Sequence, residues 1–163
     1  MNQMVTPSSP PTARLPACVL ETRYSGPTTI AHLLSSYVDT TYMPFNDEML
    51  AVRHEGVVSV RIEFPVSLEP RRTREFGDVY KTTAEILAEL ASFGMRALNV
   101  PEALALGNLF PSANFVALGQ GVKTRFGKQA VYIIRHTAGL LPFDRPWSPS
   151  FSLPATRDTD PLA

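Results

Sequence analysis

The segment 122-VKTRFGKQAVYIIRHT-137 contains the strand pattern around which the rest of the chain is read. Val122, Thr124 and Phe126 alternate with Lys123 and Arg125, the period of two that a strand requires, and Gly127 supplies a bend. The return limb carries Val131, Ile133 and Arg135 on one face, and Ala130, Tyr132, Ile134 and His136 on the other. Apolar residues on both faces indicate a strand covered on both sides for most of its length. Upstream, Asn114 to Leu118 reads as a further strand, and Gly119 and Gly121 read as bends before the hairpin.

A second hairpin is expected in 49-MLAVRHEGVVSVRIEFPV-66. Leu50, Val52 and His54 alternate with Ala51, Arg53 and Glu55; beyond Gly56, Val58, Val60, Ile62 and Phe64 alternate with Ser59, Arg61 and Glu63. Pairing 54 with 58, 52 with 60 and 50 with 62 keeps both apolar sets on one face through the connection Glu55-Gly56-Val57. Pro65 ends the strand or confines it to an edge.

Other elements follow from punctuation. Residues 17–24, ACVLETRY, form a first strand, and Ser25-Gly26-Pro27 separates it from a short helix in TTIAHLLSSYVD. Ile30, Leu33, Leu34, Tyr37 and Val38 share one face of that helix. The polar link EPRRTREFGD leads to a helix over VYKTTAEILAELASF, with Asp78 as N-cap, Val79, Thr83, Ile86, Leu87 and Leu90 as buried stripe, and Gly94 as stop. A brief strand in MRALNV precedes a helix in PEALALGNLF, where Pro101 suits the first turn and Glu102 the positive helix end. The expected class is α+β: a largely antiparallel sheet of two hairpins plus an N-terminal strand, with two or three helices packed on one face. The first six elements match the β-α-β-β-α-β order of a ferredoxin-like split motif.

With 163 residues the chain has room for one domain with tails. Residues 17–140 form that domain, between a flexible proline-rich arm, 1–16, and an extended arm, 141–163. Neither a secretory leader nor a run of 18 apolar residues is present, so a cytoplasmic protein without membrane contact is expected. A single cysteine, Cys18, excludes a disulfide framework and multi-cysteine zinc sites. Fifteen Lys and Arg balance fifteen Asp and Glu, which gives no general attraction to polyanions. The balance is uneven along the chain: residues 1–70 are net negative and 71–140 net positive.

No constellation for catalysis stands out. His32, His54 and His136 lie on separate elements without a metal-binding spacing, and the glycines at 119, 121 and 127 fit neither GxGxxG nor the Walker pattern. No catalytic residue, metal or cofactor is therefore expected. Two features point instead to binding. Phe143, Trp147 and Phe151 recur every four residues in the C-terminal arm, and such rings need a surface, either of their own domain or of a neighbouring subunit. Arg71, Arg72 and Arg74 in one linker, and Lys123, Arg125 and Lys128 in the hairpin 122–136, form two basic clusters suited to phosphates or to an acidic partner. The leading expectation is a non-catalytic assembly or interaction protein that contacts another protein or copies of itself through the arm and basic hairpin. A nucleic-acid-binding domain using the two basic clusters, with Phe126 or Tyr132 as stacking surfaces, comes second, and an enzyme third.

Overall fold

The computed structural model describes residues 15–25, 29–38 and 55–162. Its element order is β1 (Cys18–Tyr24), α1 (Thr29–Leu34), β2 (Gly56–Ile62), β3 (Arg71–Thr73), β4 (Gly77–Val79), α2 (Thr83–Ser92), β5 (Arg96–Ala97), α3 (Val100–Leu109), β6 (Asn114–Thr124), β7 (Gly127–Ile134), β8 (Thr137–Pro142) and β9 (Ala155–Thr156). This is an α+β fold with small antiparallel sheets. Among the described residues, no helix is long and apolar enough to cross a membrane.

The centre is the three-stranded sheet β6-β7-β8. Phe115 pairs with Ile133 and Ala117 with Val131, and these residues join α3, α1 and the β1–β2 pair in one core. On the opposite face Val116, Leu118 and Ala130 meet Ile86 and Leu90 of α2, Val66, Leu68, and the tail residues Phe143, Trp147 and Leu153. The two-sided character is thus satisfied by two cores over Ala130 to Ile133, while Ile134, at the turn into β8, is exposed. The helices are divided between them, so the expectation of helices on a single face is corrected. A strand without a polar face needs cover on both sides.

The third strand of this sheet was not expected. Arg135 and His136, both at positive φ (46° and 63°), form a two-residue turn into β8 without a glycine. The left-handed region is disfavoured for such residues, and the hairpin turn demands it at both positions. Surrounding contacts hold it. The Arg135 amide donates to Asn114 Oδ1 at 3.2 Å, His136 Nε2 lies 2.7 Å from Asn108 Oδ1, and the Tyr37 ring lies 4.4 Å from the imidazole.

β1 pairs with β2 antiparallel, Cys18 opposite Ile62 and Tyr24 opposite Gly56. The first limb of the expected 49–66 hairpin lies outside the described residues. Of the ferredoxin-like order, β5 pairs with β9 rather than with β1, because the tail returns to fill that edge. Segment 71–79, expected to be a plain link, is the hairpin β3–β4. Its return limb takes Val79 out of the helix, and α2 starts instead at Thr83, behind the N-cap Thr82, which makes a reciprocal capping box with Glu85. α1 ends at Leu34, and Val38 is exposed.

Gly119 and Gly121 are not hairpin bends. They lie within β6, where the register shifts between Ala117 and Val122. The Gly119 amide donates to Leu98 O at 2.8 Å, and a Cβ there would stand 2.3 Å from the Ala97 carbonyl oxygen. Glycine at 119 is what allows the two backbones to touch. The neighbouring Gln120 accepts from the Val100 amide at 2.9 Å and so helps cap α3.

Residues 141–162 run against the rest of the domain and bond to it. β8 runs to Pro142, the Phe143 amide donates to Lys128 O at 3.0 Å, and Glu63 and Ala155 exchange backbone hydrogen bonds of 2.8 and 2.9 Å. Trp147 is fully buried. Its indole donates to Thr83 Oγ1 at 2.8 Å, and the Thr83 hydroxyl donates to Phe143 O. Two tests follow. Deleting 143–163 should abolish cooperative unfolding followed by circular dichroism, and Trp147→Ala alone should cost ~3–5 kcal/mol in urea unfolding; a truncated chain that still unfolds cooperatively would show the tail to be dispensable. Gly119→Ala should lower stability by ~1–3 kcal/mol in the same assay, because the obstacle is rigid backbone.

Candidate functional site

The six cations singled out in the sequence, Arg71, Arg72, Arg74, Lys123, Arg125 and Lys128, are all exposed and lie on two hairpins. Among the described residues, only Arg72 of these makes an ion pair, with Asp78 at 3.4 Å. Both of its partners are well solvated, so the pair contributes little.

The two hairpins share a local design. In β3–β4 the Phe76 amide donates to Thr73 Oγ1 at 3.0 Å, and that hydroxyl donates to Gly77 O at 3.0 Å. In β6–β7 the Phe126 amide donates to Thr124 Oγ1 at 3.1 Å, and that hydroxyl donates to Gly127 O at 3.1 Å. In each case a threonine clips the turn, a glycine at positive φ restarts the strand, and a phenylalanine is left at the tip. Phe76 is 77% and Phe126 76% exposed. Burying such a ring is worth ~1.5–3 kcal/mol, and the fold of this chain does not gain that from either one. Arg125 Cζ lies 4.7 Å from the centre of the Phe126 ring, a cation–π pair that leaves the ring's other face unclaimed by it. The sequence marks the cations and the Phe126 ring beside them but leaves Phe76 unmarked; the repeated Thr-Arg-(Glu)-Phe-Gly is the signal that joins the two tips.

The hairpins are tied to a common strip of chain. Phe143 bonds to Lys128, one residue past the second turn, and the Trp147 amide donates to Lys81 O at 3.0 Å, two residues past β4. Lys128 Nζ sits 4.1 Å from the Phe143 ring centre, and Arg145 Cζ 5.2 Å from that of Trp147. Phe143 and Trp147 are therefore committed inside this chain, and half-buried Phe151 packs edge-on against Trp147 at 5.7 Å and Tyr132 at 6.4 Å. Of the three rings expected to dock on a surface of their own domain or of a neighbour, Phe143 and Trp147 are buried in this chain, where they cover the central sheet.

A second polar cluster lies at the start of α3. Arg96 grips Glu102 through two hydrogen bonds, 2.8 and 2.9 Å, and Glu102 is fully buried. Asn99 caps the helix, donates to Asp160 Oδ1 at 2.9 Å, and shares hydrogen bonds with the Tyr24 hydroxyl. Burial opposes the charge on Arg96, but the hydrogen bonds and charge of Glu102 reverse this and raise its pKa. Each group in this cluster has its partner within the chain, so it acts as a clasp, with Arg96 also holding Asp158 O and Thr159 O of the tail.

Among the described residues, the histidines and the cysteine lie apart from one another. His32 is exposed, His136 supports its turn, and His54 lies outside the described residues. Among the described residues no three His, Cys, Asp or Glu side chains are placed to hold a metal ion. Burial raises the pKa of the half-buried Cys18 thiol, opposite to what a nucleophile requires. A groove of about 600 Å³ runs between residues 63–69 and the tail, and its ionisable groups are Glu63 and Glu69. Glu63 is already paired with Arg157 at 3.6 Å.

The buried tyrosines give a pH dependence. Burial pushes the Tyr24 and Tyr37 hydroxyls well above their ordinary value of 10.0. Folding thus favours their protonated forms: the associated stability is complete below pH 10.0 and declines as pH rises above it. Each tyrosine should contribute a slope of about 1.4 kcal/mol per pH unit in that range. Urea unfolding on both sides of that pH should show the loss, and Tyr37→Phe should shallow it; an unchanged slope in the variant would remove Tyr37 from the account. Comparisons of the chain with protein-family models, with curated proteins and with solved structures find no match.

Proposed function

We propose that this protein is a non-catalytic interaction module whose contact surface is the pair of basic hairpins rather than its C-terminal arm. One observation carries the reading: each hairpin tip presents a phenylalanine about three-quarters exposed (77% and 76%) among exposed cations. An exposed ring held by a dedicated turn clip gives up burial energy, and that expense fits a surface completed by a partner. The cations supply orientation and encounter rate toward a negatively charged partner. The aromatic tail, placed inside the domain, acts as scaffold for this surface by bonding to Lys81 at the base of one hairpin and to Lys128 beside the turn of the other.

Retention on immobilised heparin tests the polyanion-binding part of the reading. The full chain should be retained at low salt and released as salt rises. The triple variant Lys123→Glu, Arg125→Glu, Lys128→Glu should pass through while keeping its circular dichroism spectrum. A wild-type chain that is not retained at low salt, or a triple variant that is retained equally, would remove the hairpin cations from the function.

A further inference from the structure

We infer that the partner of this surface is single-stranded nucleic acid, with Phe76 and Phe126 serving as stacking platforms for unpaired bases. The inference rests on the reading of the hairpins as a binding surface and adds the chemistry of the occupant. Aromatic rings beside a track of cations are the two components that sequence-tolerant single-strand binding needs: the cations follow phosphates, and the ring faces take bases of any identity. Both components occur at each tip. Arg74 and Glu75 precede Phe76, and Arg125 precedes Phe126 with its guanidinium over the ring.

The spacing of the hairpins supports a shared strand. Lys128 and Lys81 are the hydrogen-bonding partners of Phe143 and Trp147, and four residues of fully extended chain span at most about 14 Å. With the two hydrogen bonds of 3.0 Å added, Lys128 beside the turn of one hairpin and Lys81 at the base of the other lie within about 20 Å, a span that one short oligonucleotide can bridge.

A double helix fits this surface less well, because its bases are stacked inside and offer no free face to an isolated ring. A lipid surface fits less well for an electrostatic reason. Inserting Phe126 into hydrocarbon would draw in the guanidinium lying 4.7 Å from its ring, and inserting Phe76 would draw in the adjacent Glu75. Charged side chains in the bilayer interior are costly by several kcal/mol.

Fluorescence anisotropy of the full chain with end-labelled oligo(dT) and oligo(rU) tests the inference, beside duplex DNA, a poly-glutamate peptide and phosphatidylserine vesicles. Oligo(dT) and oligo(rU) should bind more tightly than duplex. Affinity should fall with salt, by about 0.7 in log–log slope for each phosphate neutralised. Phe76→Ala and Phe126→Ala should each weaken binding roughly 5- to 100-fold with the salt slope retained, and Phe126→Trp should restore it. Both rings are exposed, so these variants leave the core untouched, which circular dichroism verifies. Equal affinity in the alanine variants, or preference for duplex, would overturn the stacking inference while leaving a cationic surface in place. Binding of poly-glutamate or of vesicles without oligonucleotide binding would overturn the nucleic-acid assignment alone. Failure to bind any of the probes, by folded protein at low salt, would overturn both this inference and the binding-surface reading beneath it.

Discussion

Between Ala130 and Ile133, strand β7 has no face that water can have. Val131 and Ile133 point into one core, Ala130 into the other, and Tyr132 packs beside the second. Covering one side takes α3, which is buried for most of its length, together with α1 and the β1–β2 pair. Covering the other takes α2 and a proline-containing tail that cannot form a helix or an inner strand of its own. The tail acts through side chains instead. Trp147 supplies the largest fully buried surface, and its indole hydrogen bond to Thr83 meets the need of a polar group placed in an apolar core.

The second organising feature is the way the ends of α3 and of the chain are locked together. Eight of the ten α3 residues are buried, so its first amides cannot turn to water. Asn99 and Glu102 satisfy part of this need in a capping box, and Gln120 from the β6 bulge satisfies the Val100 amide. Burying Glu102 in turn requires Arg96, and Arg96 has donors left over for the backbone of Asp158 and Thr159. One capping requirement thus draws in the bulge, β5 and the tail. The close approach at Gly119 makes that assembly sterically possible.

Against this internally satisfied frame, the hairpin tips stand apart. The interior finds a partner for nearly every polar group; among the described residues, Thr22 Oγ1 is the buried side-chain oxygen left without one. The tips do the reverse, holding two large apolar rings among exposed cations in solvent. Their geometry is local, set by a threonine clip and a glycine, so it does not depend on what the ring touches. A surface of this kind can keep its shape while unoccupied, which lowers the ordering cost of binding.

The α+β class, the two-sided burial of 130–133, the stop at Gly94 and the place of Glu102 at the start of α3 were legible because each depends on residues near one another in sequence. The same holds for the basic clusters, whose charge is local, and for the phenylalanine tips, whose repeated motif was present but unread. What lay beyond the sequence were the decisions made by contact between distant segments. The Arg135-His136 turn carries no glycine and is held by Tyr37, Asn108 and Asn114 from elsewhere in the chain. α2 begins at Thr83 because Val79 is already engaged in a strand. Periodicity showed that Phe143, Trp147 and Phe151 need an apolar surface, but not whose. The tertiary structure decided it, because the uncovered face of β7 belongs to the same chain and the main-chain bonds at Lys81, Lys128 and Glu63 hold the tail against it.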